Sequence, residues 1–226
     1  MELPRFPEGM STPFQFLDGV LPKLRVANVD AIKFEVLQVC QDLCRRGGVW
    51  RQWLGPVSVT GQYIEIPIPP PDPGVSVHTA YAVRLGIPNG PYLNRIDITR
   101  RSSRRSGGRG QPTAYVQTAP GLIQLDAMPQ YPDDAPINLE GLFSLVPTDL
   151  CMPDWFVDEH FDTVVAGTLA RLLCVKGPNY DAVMAMFHRK TYSGRVAGHR
   201  ISAMSGFSTT SRKAEPGYYF ASGMRR

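Results

Sequence analysis

The sequence has no long apolar run and few cysteines. A membrane-spanning helix needs about 18 or more consecutive apolar residues, and the 226-residue chain contains no such run. The opening segment MELPRFPEGM has neither the basic start nor the apolar stretch of a signal peptide. We therefore expect a protein that is synthesised in the cytoplasm and has no membrane partner.

The chain has only four cysteines, Cys40, Cys44, Cys151 and Cys174, and no Cys-x-x-Cys pair. A structural zinc site needs four ligands at organised spacing. Cys40 and Cys44 could face one metal ion from a helix, but no further pair of ligands accompanies them. We predict that the cysteines pack as small apolar side chains, and we expect no metal and no cofactor.

Familiar catalytic motifs are also missing. There is no GxxxxGK[ST], no GxSxG and no HExxH. The four histidines are scattered, and an acidic cluster between residues 154 and 162 stands at the start of a predicted helix, where it complements the helix dipole. Asp133 and Asp134 leave a cation site open, and a glycan hydrolase with a carboxylate pair is a weaker alternative. We expect no catalytic residues and a protein that is not an enzyme.

Basic charge is concentrated in two segments. Residues 95–109 and 195–226 each carry +5, which leaves −6 for the rest of a chain whose total is +4. Basic segments on an acidic body typically contact an anionic partner. We predict that the low-complexity loop RSSRRSGGRG contacts DNA or a neighbouring protein. The candidate residues are Arg100, Arg101, Arg104, Arg105 and Arg109.

Helical periodicity is found towards the two ends of the chain. Residues 29–46 carry apolar side chains at helical spacing, with Asn28 or Asp30 available as N-cap and Gly47-Gly48 as the stop. A short helix around residues 14–26 is also predicted. The apolar positions of the longer helix are Ile32, Val36, Cys40 and Leu43.

Two further helices are predicted after residue 153. The first carries a wide apolar stripe from Phe161 to Leu173, and Gly177-Pro178 ends it. Asn179 is expected to cap the second helix. The residues assigned to one apolar side of that second helix are Tyr180, Val183, Met184, Phe187, Val196 and Ile201.

Between residues 56 and 150 short strands replace the helices. In GQYIEIPI, isoleucines alternate with Tyr63, Glu65 and prolines, as in a half-buried strand. The predicted fold class is α+β: a helical bundle with an inserted antiparallel β-sandwich or barrel and an extended C-terminal tail. The predicted parts are 1–55, the N-terminal lead and first helix; 56–150, the insert; 151–205, the helical pair; and 206–226, the C-terminal arm.

The order of these elements resembles the head-to-tail adaptor, or tail tubular A, proteins of short-tailed bacteriophages. A helix end with Cys44 and Trp50 precedes a strand that opens in glycine, glutamine and tyrosine. A Gly-x-Pro-x-x-Tyr stretch follows, then an apolar strand before a proline turn. The matching positions are Gly61, Gln62, Tyr63, Gly110, Pro112, Tyr115, Leu122, Ile123, Gln124, Leu125 and Pro129. A helical pair, matched by Val164 to Leu173 and Tyr180 to Ala203, completes the order, so the resemblance covers roughly residues 28–205.

The resemblance implies a virion protein at the head-tail interface that assembles as a dodecameric ring, binds the portal protein and a downstream tail or nozzle protein, and lines the passage of DNA during ejection. Small residues of the third helix, Ala166, Gly167 and Ala170, would allow close packing against a neighbouring copy. The basic, aromatic tail is expected to dock on the portal. Its candidate residues are Phe207, Arg212, Lys213, Tyr218, Tyr219, Phe220, Arg225 and Arg226. The alternative is a nucleic-acid-binding module whose arginine-rich loop holds phosphates.

Overall fold

The computed structural model describes residues 10–11, 14–26, 28–59, 65–86, 90–96, 108–128, 137–149 and 152–205. In this part the chain is a mixed α+β protein, as the sequence predicted. Its helices are α1 (Phe14–Val20), α2 (Val29–Gly47), α3 (Asp154–Leu172) and α4 (Ala182–Ser205), with a 3₁₀ turn at Leu21–Lys23. Its strands are β1 (Met10–Ser11), β2 (Arg51–Val59), β3 (Glu65–Pro67), β4 (Val75–Leu85), β5 (Asn94–Arg95), β6 (Gly108–Arg109), β7 (Ala114–Ala119), β8 (Leu122–Leu125), β9 (Ala127–Met128), β10 (Ile137–Pro147) and β11 (Met152–Pro153).

Helix α2 begins and ends where its local sequence predicts. The side chain of Asn28 accepts a hydrogen bond from the Ala31 N–H at 3.2 Å, which satisfies one of the donors left free at a helix start. Gly48 adopts a left-handed conformation with φ 59° and donates its N–H to the Cys44 carbonyl at 3.1 Å. The predicted apolar positions of α2 are all buried. The predicted helix and both of its ends are confirmed.

The start of α4 differs from the prediction, because Asp181 caps the helix and Asn179 does not. The Met184 N–H donates to Asp181 Oδ1 at 3.0 Å. The Asn179 side chain bonds instead to the chain ahead of α2: its oxygen accepts from the N–H groups of Arg25 and Val26, both at 2.9 Å, and its nitrogen donates to the Val26 carbonyl at 2.6 Å. The Asn179 amide carries both donors and an acceptor, so one side chain bonds to the N–H groups and to the carbonyl of this backbone segment.

The insert contains two larger sheets. One is antiparallel with strand order β2-β10-β4, and the other has the order β3-β8-β7-β5, in which β5 runs parallel to β7. None of the described strands closes a sheet into a barrel. In β3 the exposed Glu65 and Pro67 alternate with the buried Ile66, and Ile68 just after the strand is also buried, so the predicted alternation is confirmed for residues 65–68. Tyr63 and Ile64 lie outside the described residues.

A glycine permits the close approach of β2 to β10. Gly55 has φ 120°, and a Cβ atom at this position would lie 2.6 Å from the Leu139 carbonyl oxygen. The register of the two strands shifts between Leu139 and Gly141, so an extra residue is accommodated at this point. Strand β2 continues across residues 55 and 56, where the sequence analysis placed the boundary between the N-terminal part and the insert.

One hydrophobic core joins the helices to the sheets. The Trp50 ring, between α2 and β2, lies 6.3 Å from the Trp155 ring and 6.1 Å from the Phe156 ring of α3. The Gln41 side chain of α2 donates to the Pro147 carbonyl at the end of β10 at 3.0 Å. The helices and the insert are therefore packed together where the chain passes between them. None of the helices in the described part combines the length and hydropathy that a membrane crossing requires.

Candidate functional site: an exposed helix face and an adjacent groove

Helix α4 is held to the rest of the protein by one side. Ala185, Tyr192 and Val196 are buried on this side. Gly167 of α3 makes the close approach possible, because a Cβ atom there would lie 2.5 Å from Val39 of α2 and 2.9 Å from the Tyr192 ring. The small residue Gly167 therefore packs inside the chain, and so does the buried Ala166. The predicted contact of Ala166, Gly167 and Ala170 with a neighbouring copy stays a prediction.

The opposite side of α4 is exposed to solvent and mostly apolar, with the exposed Lys190 between Phe187 and Gly194. Val183, Phe187 and Ile201 have 77%, 61% and 68% of their surface exposed. Between them, a Cβ atom added at Gly194 or Gly198 would have no atom of the described chain within 4 Å. We call this surface the outer face of α4. Its residues are Val183, Met186, Phe187, Gly194, Gly198 and Ile201.

The sequence analysis predicted one apolar side for this helix, but in the structure most of the residues assigned to that side face away from the core. Tyr180, Val183, Met184 and Phe187 are all exposed, whereas Val196 is buried on the other side. The signal is present in the sequence: residues 182–187 read AVMAMF. Six consecutive apolar residues cover more than one helical turn of 3.6 residues, so they cannot all face inward.

A groove of about 520 Å³ opens next to the outer face. Its base includes Gly167 and the half-exposed Ala170 of α3, and α2 and α4 form its sides. The Tyr192 hydroxyl lies in the groove and donates to Asp42 Oδ2 at 2.8 Å. Burial and this hydrogen bond raise the pKa of Tyr192, so the phenol stays protonated as a donor.

Three arginines border the groove, one from each helix. Arg46 Nη1 lies 3.0 Å from Asp42 Oδ2, and Arg171 Nη1 lies 3.0 Å from Glu35 Oε2. Arg189 of α4 makes no ion pair with any residue that the structure describes. Sequence reasoning missed this group, because its members come from three helices and Arg46 of α2 is more than 100 residues before the other two.

The cysteines take two different positions. Cys40 and Cys44 are fully buried, as predicted, and burial raises the pKa of both thiols. Cys174 is exposed beside the groove, so the prediction of a buried thiol was wrong for it, because it lies in an exposed turn just after α3 ends. Cys151 lies outside the described residues. Within the described ranges no three His, Cys, Asp or Glu side chains are grouped as a metal site.

Two histidines that the sequence treated as scattered lie together. The His160 and His199 ring centroids are 4.8 Å apart, and the Phe156 ring is 5.0 Å from His160. Burial, with a smaller contribution from His199, lowers the pKa of His160 to about 4. At neutral pH both rings are therefore packed as neutral imidazoles between α3 and α4.

Most of the predicted contact residues fall outside the described part of the chain. This applies to all eight C-terminal docking candidates and to four of the arginines in the basic loop, Arg100, Arg101, Arg104 and Arg105. Only the backbone of Arg109 is described, in strand β6, which pairs with β9 in a parallel arrangement. No known protein-family model matches the chain, and no curated protein matches it.

Proposed function

We propose that the chain is a structural subunit of a ring that joins the head of a tailed bacteriophage to its tail. The observation that carries the proposal is the outer face of α4. Large apolar side chains exposed together in a folded protein mark an interaction surface, and Val183, Met186 and Phe187, which lie within five residues of one another on α4, are each more than 60% exposed. In the ring these side chains are covered by a neighbouring copy.

The arrangement of elements supports this role. The described chain is a mixed α+β protein with helices before and after a strand-rich insert, and in the proposal these helices form a bundle and the two larger sheets form a sandwich. A protomer that meets its neighbours through two different surfaces closes into a ring when the rotation between copies is a whole fraction of a turn. The ring binds the portal protein on one side and a tail or nozzle protein on the other, and it lines the passage of DNA.

The C-terminal arm supplies the portal contact in this proposal. Residues 206–226 contain four basic side chains, one acidic side chain and several aromatic rings, a composition suited to an arm that orders when it binds. The docking residues are those predicted from the sequence, from Phe207 to Arg226. A chain that ends at Ser205 is expected to fold and assemble but to lose binding to the portal protein. Normal portal binding by the truncated chain would remove this part of the proposal.

The central experiment measures the mass of the purified chain by native mass spectrometry, alone and mixed with the portal protein of the same phage. We expect a multi-subunit ring, formed alone or on the portal. The double variant Val183→Glu, Phe187→Glu places two charges on the outer face, and we expect it to stay monomeric because charged groups cannot be buried there without partners.

A matched control tests whether any exposed valine would give the same result. Val175, after α3, is 63% exposed and lies outside the outer face; Val175→Glu is expected to assemble like the unchanged chain. Circular dichroism confirms that each variant is folded. Full assembly by the double variant would contradict the proposal. A chain that stays monomeric with the portal yet binds duplex DNA, with an affinity that falls steeply with salt, would favour the nucleic-acid-binding alternative.

A further inference from the structure

The groove beside α4 combines an apolar base with a cationic border. Ala170, Ala182 and Ala185 provide apolar lining, and Arg171 and Arg189 stand at the border. Arg171 is held in position by its ion pair with Glu35, while Arg189 has no ion-pair partner among the described residues. A groove of this kind suits a ligand with an apolar group flanked by carboxylates, since guanidinium groups pair well with carboxylates.

A surface with that chemistry lies on the first half of α3. Asp158 is exposed, and the side chains of Glu159 and Asp162 are 68% and 78% exposed. The Trp155 ring, 41% exposed, stands among them. Arg195 of α4 lies 3.7 Å from Asp162 and reduces the negative charge at one edge only. We call this surface the acidic face; its residues are Trp155, Asp158, Glu159 and Asp162.

Asp158 of the acidic face points away from the base of the groove. Asp158 and Gly167, at the base of the groove, are nine residues apart on α3, which at about 100° per residue places them on opposite sides of the helix and about 13 Å apart along it. One molecule therefore cannot bring its own acidic face into its own groove. Two complementary surfaces on opposite sides of one protomer produce head-to-tail contacts between successive copies.

We propose that the acidic face of one copy binds the arginine-bordered groove of the next. Trp155 contacts the apolar base, and the carboxylates of the acidic face pair with Arg171 and Arg189. Buried tryptophan and arginine are the side chains that most often dominate binding energy at protein interfaces. This inference rests on the proposed function, because it specifies how the ring subunits pair.

Charge argues against the other occupants. The arm at residues 206–226 has a net charge of +3 and is repelled by the arginines of the border. The exposed carboxylates of the acidic face carry a charge opposite to that of the border arginines, so a second copy of the chain is the complementary partner. DNA phosphates are also negatively charged, so the experiment includes a DNA-binding measurement that distinguishes DNA from a second copy of the chain.

The test is a charge exchange at two positions. Arg189→Glu and Asp158→Arg each place like charges across the contact, so each single variant is expected to weaken subunit association about tenfold or more. The double variant Arg189→Glu, Asp158→Arg restores an attractive pair in every contact and is expected to return to within about threefold of the unchanged chain. Neither residue has an ion pair with a described residue, so the monomer is expected to keep its fold. Sedimentation velocity over a concentration series measures the association.

Asp72→Arg is the matched control, because Asp72 is an exposed carboxylate of the insert that belongs to neither surface; it is expected to associate normally. If both single variants associate like the unchanged chain, or if the double variant is no better than either one, the pairing is wrong even when the ring forms. If the unchanged chain forms no assembly alone or with the portal, the proposed function fails and the pairing with it. If Arg189→Glu weakens binding to a labelled DNA duplex but not subunit association, the groove binds phosphate and the proposal is overturned.

Discussion

His160 is a buried histidine whose ring is surrounded by other rings. The Phe156, His199 and Trp155 rings lie 5.0, 4.8 and 6.3 Å from it, and its Nδ1 atom has no hydrogen-bond partner in the described part of the chain. The nearest carboxylate oxygen, of the largely exposed Glu159, is 4.0 Å from Nε2. The site accommodates a neutral imidazole, so the pKa is lowered to about 4.

The lowered pKa makes stability depend on pH. Above pH 6.5 His160 is neutral in both the folded and the unfolded chain and contributes no pH dependence. Between pH 6.5 and 4 the unfolded chain takes up a proton that the folded chain does not, so this site lowers the free energy of unfolding by about 2–3 kcal/mol. Urea denaturation at pH 7.5 and 4.5 measures the loss. His160→Phe should reduce it, and an equal loss in both proteins would show that other groups cause it.

Two glycines on neighbouring helices have opposite surroundings. Gly167 of α3 lies against the side chains of Val39 and Tyr192, with no space for a methyl group. Gly194 of α4 faces open space and has helical backbone, where glycine is less favourable than alanine by roughly 0.5–1 kcal/mol. The same substitution is therefore expected to have opposite effects at the two positions.

Gly167→Ala should lower the free energy of unfolding by about 1–3 kcal/mol, because α2 and α4 must move apart to admit the added methyl group. Gly194→Ala should raise the stability of the monomer by about 0.5–1 kcal/mol. Thermal unfolding of the monomer, followed by circular dichroism, gives both changes. Similar destabilisation by the two variants would mean that the outer face of α4 is covered within the chain.

Helix α2 was predictable because its signals are local: Asn28, the apolar spacing and Gly48 all lie within about twenty residues. The orientation of α4 was not, since residues 182–187 are apolar on every side and only the position of α3 decides which of them are buried. The groove arginines come from three helices, so no window of sequence contains them. The pairing of β2 with β10 likewise depends on contacts about 80 residues apart.

The two larger sheets of the insert are joined by a glutamine. Gln117 of β7 accepts the Ala80 N–H of β4 at 3.0 Å, and its side-chain nitrogen donates to the carbonyls of His78 and Ala119. Arg95 reinforces the link by donating to the Ala80 carbonyl at 3.1 Å. One side chain thus satisfies backbone groups of both sheets.

Gln117→Ala should lower the stability of the whole protein by about 1–3 kcal/mol, because the Ala80 N–H and the His78 carbonyl lose their partner. Gln111→Ala is the control, since Gln111 is exposed just before β7. Urea denaturation followed by tryptophan fluorescence measures the change. If the two variants are equally stable, the hydrogen bonds between the sheets contribute nothing measurable.

The insert meets the helices through two strands that lie side by side. Strand β2 leaves the end of α2, β10 returns towards α3, and Arg51 pairs with Ser144 where the two strands approach the helices. A tensile force on the far end of the insert is therefore divided between two covalent chains that run in the same line. Such a load acts along both strands and does not peel one from the other, so it reaches α2 and α3 as a pull on the helices themselves.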